Sequence, residues 1–213
     1  MVRISADLAG IPPPAPIGVG LLLDGLPIHL TASAATQYIS KCSSMLRSLG
    51  DEESLLSLKL MTGQLVASAQ TPTGIDTEAV DRIYALADRV EDELAQAYSL
   101  ATWCITSPAP EHTSARVEAA QSILEIAERC GDDALTPLGY SFLLTGLLEQ
   151  GEIRSLDIEL MKRRHNQLAN EMTFGSHPAD WFGFLRLILD GEMELAEQQA
   201  NTMLAAQQHD GSN

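Results

Sequence analysis

The chain has 213 residues, of which 45% are hydrophobic and 20% are charged, so it is long and apolar enough to bury a core. Its 13 basic and 29 acidic residues give a formal net charge of -16. This charge disfavours direct binding to nucleic acid or to an anionic membrane, because phosphate groups require a cationic surface. We therefore expect partners of another kind.

The first segment, residues 1–31, is rich in Pro and Gly and lacks helical periodicity. We interpret it as an arm that precedes one helical domain over residues 32–213. An apolar run at 17–23 followed by Ala32-Ser33-Ala34 resembles an export signal. However, Arg3 is the only basic residue ahead of that run, and four prolines precede it. We therefore expect a cytoplasmic protein.

Helix-ending residues recur about every twenty positions in the following part of the chain, as at Gly50-Asp51, Gly131-Asp132, Gly151-Glu152 and Gly191-Glu192. Gly accepts the left-handed conformation that ends a helix, and Asp, Ser or Thr can cap the next helix. The segments between these breaks carry apolar residues at helical spacing. We predict nine helices, over residues 33–49, 51–69, 76–90, 92–107, 113–130, 133–150, 153–171, 177–190 and 192–208.

The same period appears in the amino-acid types. Shifting residues 83–92 by forty positions places them on residues 123–132, and Ile, Ala, Arg and the final Asp coincide. The repeating unit is thus an antiparallel hairpin of two helices. The sequence predicts an all-α fold, a helical-hairpin repeat array or α-solenoid.

The predicted helix 113–130 shows how such a unit would be buried. Val117 and Ala120 begin one apolar row, and Ile123 and Ile126 lie in the adjacent row, so the apolar face is wider than a two-helix contact requires. We expect this helix to contact neighbours on two sides. The small residues of this region are either sites of close helix approach or ordinary helix composition: Ala87, Ala127, Gly139 and Gly146.

Several stretches carry a family resemblance: residues 81–92, 108–116, 127–132, 147–152 and 181–200. Together they resemble the tetratricopeptide-like region of the LuxR-type and related signal-transduction ATPases, which are bacterial regulators. The resemblance covers roughly residues 45–213. It implies a tetratricopeptide-like (TPR-like) α-solenoid and a role in regulation or signalling.

The sequence departs from such regulators in the two modules that act on nucleotide and DNA. It has no GxxxxGK[ST] motif, and the glycines of residues 18–25 lack the spacing of a dinucleotide-binding loop. The residues that end the sequence do not fit a DNA-binding helix-turn-helix module. We therefore expect neither ATP hydrolysis nor DNA binding.

The usual local signatures of catalysis and metal binding are also missing from the sequence, including HExxH, GxSxG, SxxK and CxxC. We predict no catalytic residue, cofactor or metal ligand. The three cysteines, Cys42, Cys104 and Cys130, have unrelated spacings. They favour reduced thiols that are buried in the core.

Aromatic side chains concentrate in the C-terminal part of a chain that is only 5% aromatic. They would either line a groove for a ligand or partner helix, or fill the core between the last hairpins. The candidate binding residues are Trp103, Tyr140, Phe174, His177, Trp181 and Phe184, with Phe182 beside them. The cationic run 162–165 is interpreted as a solvated helix face that pairs with acidic neighbours.

These observations favour a non-enzymatic binding module of a bacterial regulatory or signalling system, which holds a protein segment or a small effector between stacked helix pairs. The alternative is a small cytoplasmic biosynthetic enzyme or accessory factor with an aromatic pocket, for which Trp103, Tyr140, His177 and Trp181 are the candidates. A closed pocket with convergent polar groups would favour the enzyme, and an open groove would favour the binding module.

The last predicted helix, 192–208, is not followed by an obvious polar capping helix. Solenoids normally need one, so apolar residues such as Met203 and Leu204 would require a cover. A partner chain, a second copy or the N-terminal arm could supply it. We favour self-association through this helix.

Overall fold

The computed structural model describes residues 32–50, 53–169 and 178–210. Within these residues it contains nine α-helices and no β-strand, which confirms the all-α prediction. A short 3-10 turn, Pro110–His112, precedes the fifth helix. The helices are α1 Ala32–Leu49, α2 Leu55–Ser68, α3 Thr77–Ala87, α4 Glu93–Thr106, α5 Thr113–Cys130, α6 Thr136–Glu149, α7 Ile153–Ala169, α8 Pro178–Leu189 and α9 Met193–Asp210.

The helix boundaries lie within three residues of the predicted ones, except at the start of α2. That helix was predicted from residue 51 but begins at Leu55. The hydroxyl of Ser54 accepts a hydrogen bond from the backbone N–H of Ser57 at 3.2 Å and so provides the N-cap.

Helix contacts follow a simple order along the chain. Each helix contacts the next one in sequence, and α2, α4, α6 and α8 also contact each other in series. The even-numbered helices therefore form a central row, with α4 between α2 and α6, and α6 between α4 and α8. A helix with neighbours on several sides must be apolar on more than one face. The sequences of α2, α4, α6 and α8 are rich in apolar residues, in agreement with this position.

Three of the turns between helices have the same backbone geometry. Gly131, Gly151 and Gly191 adopt φ values of 68°, 71° and 79°, which lie in the left-handed region. In each turn the residue after Gly donates its N–H to the carbonyl five positions earlier, at 2.9 Å. This bond is the signature of a Schellman cap, which explains the Gly-acidic pattern of the sequence.

Two hairpins are closed by equivalent ion pairs. Arg89 Nε donates to Glu53 Oε1 at 2.6 Å, which joins the end of α3 to the start of α2. Arg129 donates to Glu93 in the same way at the ends of α5 and α4, with Nε 3.3 Å from Oε2. Each residue of the second pair lies forty positions after its equivalent in the first. The hairpins α2–α3 and α4–α5 therefore share a detail of closure as well as their spacing.

Helix α5 is buried on two sides, as predicted. Ile123 is fully buried in a core cluster with residues of α2, α3, α4 and α6, whereas Val117 and Ala120 belong to a second cluster with α6 and α7. The close approach of α5 and α6 is also confirmed. A Cβ atom on Gly146 would lie 2.5 Å from Val117 Cγ2, and one on Gly139 would lie 2.9 Å from Leu124.

The prediction of buried cysteines is correct for two of the three. Cys42 and Cys104 are buried, and burial raises the pKa of each thiol to about 12. Cys130 is exposed, so the prediction is wrong there. It is the last residue of α5, and its Sγ lies 3.6 Å from Glu93 Oε2 rather than within the core.

None of the helices in the described parts of the chain is both long enough and apolar enough to span a bilayer.

Candidate functional site

A groove of about 840 Å³ lies over α2, between α1 and α3, and is open to solvent on one side. This volume is within the usual range of ligand sites. The floor comes from one face of α2, and the walls come from α1 and α3. The lining residues used below are Ile39, Ser43, Leu46, Arg47, Glu53, Ser57, Met61, Gln64, Leu65, Ser68, Asp76, Arg82 and Arg89.

The floor of the groove combines apolar and polar side chains at helical spacing. Ser57, Met61, Gln64, Leu65 and Ser68 recur every three or four residues and therefore share one face of α2. Leu65 is buried, while Met61 and Gln64 are half-buried. The floor can thus contact apolar groups and also form hydrogen bonds.

Gln64 fixes the wall formed by α1. Its side-chain amide donates to the carbonyl of Ile39 at 3.1 Å and to the Ser43 hydroxyl oxygen at 2.7 Å. The Ser43 hydroxyl in turn donates to the same Ile39 carbonyl at 2.9 Å. This small network orients α1 against α2 without a ligand, so the groove is already formed.

Three arginines line the groove of this acidic chain: Arg47, Arg82 and Arg89. Arg89 is paired with Glu53, and Arg82 Nη2 lies 3.8 Å from Asp76 Oδ2. Arg47 is exposed and has no hydrogen bond or ion pair with the described part of the chain. With respect to the described residues, it is the cation of this groove that can accept an anionic ligand without breaking an existing pair.

The groove thus offers apolar contacts, amide and hydroxyl hydrogen bonds and a guanidinium group. Its lining contains neither His nor Cys. Among the described residues, no group of three or more His, Cys, Asp or Glu side chains is placed to hold a metal ion. The groove can therefore hold a ligand through apolar contacts, hydrogen bonds and charge.

The predicted aromatic residues lie elsewhere in the molecule. Trp103 on α4 packs half-buried against the core cluster of Ile123 and stacks edge-on against His112, with ring centroids 6.0 Å apart. Tyr140 on α6 and Phe182 on α8 pack against the other cluster, which contains Val117. The structure therefore places Trp103 and Tyr140 in different clusters.

The remaining aromatic predictions concern the C-terminal part. Trp181 is 43% exposed and meets Phe184 edge-to-face, with ring centroids 6.4 Å apart. Phe174 and His177 lie outside the described residues. The aromatic binding site stays a prediction.

Of the cationic run 162–165, only the Lys162 side chain is described. Lys162 is exposed, and its Nζ lies 2.7 Å from Glu159 Oε1. The hydrogen bond to this carboxylate raises the pKa of Lys162. The prediction of a solvated, paired cation is confirmed at this position.

A second polar cluster lies in the core, away from the groove. Lys59 Nζ lies 2.5 Å from Asp132 Oδ2, and the Asp132 side chain is only 4% exposed. Tyr98 donates to the same carboxylate oxygen at 3.5 Å, and burial together with this carboxylate raises the pKa of Tyr98. Asp132 Oδ1 accepts from the N–H groups of Ala134 and Leu135. The cluster joins α2, α4 and the turn before α6.

Sequence reasoning missed the groove because its residues come from three helices. A signal was present in α2, where Ser57, Gln64 and Ser68 form a polar row on a largely apolar helix. A polar row on a central helix indicates a face that no other helix covers.

Comparisons of the chain with protein families, with curated proteins and with solved structures find no match.

Proposed function

We propose that the protein is a non-enzymatic helical-repeat binding module that holds a segment of another protein in the groove between α1 and α3. The observation that carries this proposal is the open, preformed groove with a mixed apolar and polar floor and an arginine on its wall that has no partner among the described residues. An open groove suits a chain segment better than a small molecule, since small ligands are usually buried almost completely.

The proposal includes a TPR-like solenoid arrangement of the helices. Two observations support it: the central row of even-numbered helices, and the equivalent ion pairs of the hairpins α2–α3 and α4–α5. In solenoids each repeat contacts its neighbours and presents extended binding surfaces. The resemblance to LuxR-type regulators supports a role in a bacterial regulatory or signalling system, in the cytoplasm.

The length of the floor indicates the size of the segment. Ser57 and Ser68 are the first and last floor residues, and a helical rise of 1.5 Å per residue places them about 16 Å apart. An extended peptide rises about 3.3 Å per residue, so roughly five residues would fill the groove. Met61 and Leu65 would contact an apolar side chain of that segment, and Gln64 would remain committed to α1.

Arg47 sets the expected charge of the segment. It is exposed on the wall and available for a carboxylate, whereas Arg89 already pairs with Glu53. Arg binds carboxylates through two parallel N–H donors, which gives both affinity and orientation. We therefore propose an acidic side chain within three or four residues of the apolar one.

Selection from a random peptide library tests the proposal, followed by calorimetric titration of the enriched peptides. We expect enrichment of short segments that combine an apolar and an acidic residue. Arg47→Glu should weaken their binding about tenfold or more, because a charge-assisted hydrogen bond contributes roughly 1.5 to 3 kcal/mol.

Arg154→Glu is the matched control, since Arg154 on α7 is also exposed and makes no ion pair with the described residues. It changes the net charge equally and should leave binding unchanged. If both variants lose peptide affinity equally, the effect is due to net charge, and the groove is not the binding site. Failure to enrich any peptide that competes at the groove would refute the function.

A further inference from the structure

Helix α8 is apolar on both of its faces. Phe182 and Gly183 face inward, and Phe182 packs against the core cluster of Val117. Four large apolar residues face solvent: Trp181, Leu185, Ile188 and Leu189, which are 43%, 39%, 36% and 60% exposed. Their spacing of four, three and one places them on one side of the helix. We call these four residues the α8 stripe.

Further exposed apolar residues lie on α7 and α9, two of the helices that contact α8. Ile158 and Met161 on α7 are 46% and 71% exposed, and Met193 and Leu195 on α9 are 58% and 48% exposed. Single exposed apolar residues need no explanation, but eight on three neighbouring helices do. Their combined exposed area is comparable with the roughly 800 Å² that each partner buries in a standard protein interface.

The position of α8 in the fold explains why this surface needs a cover. Among the described residues, the central helices α4 and α6 each contact two other members of the central row, whereas α8, like α2, contacts one, which is α6. Helices that are apolar all round are normally buried. Its apolar composition is that of a helix with central-row neighbours on both sides.

We propose that a second copy of this chain covers the surface, with the α8 stripe of each protomer packed antiparallel against that of its partner. A two-fold axis pairs a surface with itself, so a purely apolar stripe is complementary to its own copy. Leu185 is the middle residue of the stripe and would lie at the axis. Trp181 of each protomer would meet Leu189 of its partner.

The charges at the ends of α8 favour the antiparallel arrangement. The exposed Asp190, Glu192 and Glu194 all follow the C-terminal end of the stripe. A parallel pair would bring these carboxylates together, whereas an antiparallel pair separates them by about the helix length. Twelve residues span roughly 18 Å, which exceeds the Debye length of about 8 Å at physiological salt.

The proposed interface lies on α8 rather than on the last helix, where the sequence predicted it. Self-association was expected through the last helix and residues such as Met203, but Met203 is only 3% exposed. The side chain of Leu204 lies outside the described residues. The surface that can pair is formed by α8, with contributions from α7 and the first turn of α9.

Sedimentation velocity over a range of concentrations tests the proposal. Interfaces of standard size have dissociation constants in the micromolar range or below, so the chain should be a dimer at about 50 μM. Leu185→Glu combined with Leu189→Glu should give a monomer with an unchanged circular dichroism spectrum, because both side chains are already exposed. The matched control is Gln37→Glu with Ser44→Glu on the exposed side of α1, which should remain a dimer.

Disulfide trapping tests the antiparallel geometry. In a background with Cys130→Ser, which removes the exposed thiol, Leu185→Cys should cross-link to its own copy. Trp181→Cys should not, since the two copies of that position would lie at opposite ends. A wild-type chain that stays monomeric, or a dimer that survives the two α8 changes, would overturn the proposal. Self-linking at position 181 alone would overturn the antiparallel arrangement.

Discussion

The first and the eighth helix differ in the side chains that they present to solvent. At the N-terminal end, α1 buries Tyr38 and Cys42 and exposes small polar side chains such as Ser33, Gln37 and Ser44. At the C-terminal end, α8 also buries one face but exposes Trp181, Leu185, Ile188 and Leu189. Both helices pack against a central helix, so the difference concerns the outward face alone.

The outward face of a helix is stable in water when it is polar, as that of α1 is. Helix α8 contacts α6, α7 and α9, yet its outward face has the apolar composition of an internal helix. We therefore expect equivalent substitutions to change the free energy of unfolding by different amounts in α1–α6 and in α7–α9, even where the local backbone is the same.

The largest contrast is expected between the turns at Gly131 and Gly191, which have the same backbone hydrogen bonds. The acidic residue after Gly is Asp132 in the first turn, buried and paired with Lys59, and Glu192 in the second, which is exposed. Asp132→Ala should lower the free energy of unfolding by about 3 to 5 kcal/mol, because it leaves a largely buried ammonium unpaired and two N–H groups without an acceptor.

Glu192→Ala is the control at the equivalent turn and should change the free energy of unfolding by less than about 0.5 kcal/mol. Urea denaturation of both variants measures the difference. Similar losses in the two variants would mean that the Schellman turn itself, rather than the buried carboxylate, determines stability at these positions.

The helices could be predicted from the sequence because their ends are set by local chemistry. Left-handed glycines follow the ends of α1, α5, α6 and α8, Asp76 and Asp92 cap α3 and α4, and α5 begins and ends at the predicted residues. The start of α2 was wrong because several residues before it can cap a helix. The hydrogen bond from the Ser57 N–H to the Ser54 hydroxyl makes Ser54 the N-cap.

The groove and the buried ion pair depend on contacts between distant segments. Lys59 and Asp132 are 73 residues apart, and Gln64 and Ser43 are 21 residues apart. Which helix faces meet is determined by tertiary packing, and helical periodicity alone does not encode it. Cys130 shows the same limit, since it continues an apolar row of α5 but lies in the last turn, where Glu93 rather than a core residue is its neighbour.

A smaller contrast is expected between two isoleucines, one in each region. Ile123 on α5 is fully buried and Ile188 on α8 is 36% exposed. Ile123→Ala should cost about 2 to 4 kcal/mol, because the change leaves a cavity between α5 and its neighbours. Ile188→Ala should cost about 1 kcal/mol or less in a monomer.

The two isoleucine variants are compared in the Leu185→Glu and Leu189→Glu background, in which we expect a monomer. There the difference between the variants should be largest. In the wild-type background, Ile188→Ala should also weaken dimer formation. Equal costs in the monomeric background would mean that the outward face of α8 is as well packed as the core of α5.

The smallest effect is expected in the labelling of the three thiols. Their reactivity reports on opening of the α1–α6 region, and the labelling requires no change in its stability. Only Cys130 should react with a thiol reagent in the native protein, because Cys42 and Cys104 are buried and their raised pKa values leave little thiolate. Desolvation and the Glu93 carboxylate also raise the pKa of Cys130, so its reaction should be slower near pH 8 than that of a free cysteine. Glu93→Gln should accelerate this reaction, because removal of the carboxylate lowers the pKa of Cys130 and increases the thiolate fraction.

Kinetic labelling followed by intact-mass measurement gives the number of fast-reacting thiols, and Cys130→Ser should abolish the fast phase. A second fast-reacting thiol would show that α1 or α4 opens readily. The α1–α6 region would then be no more stable than the α7–α9 region.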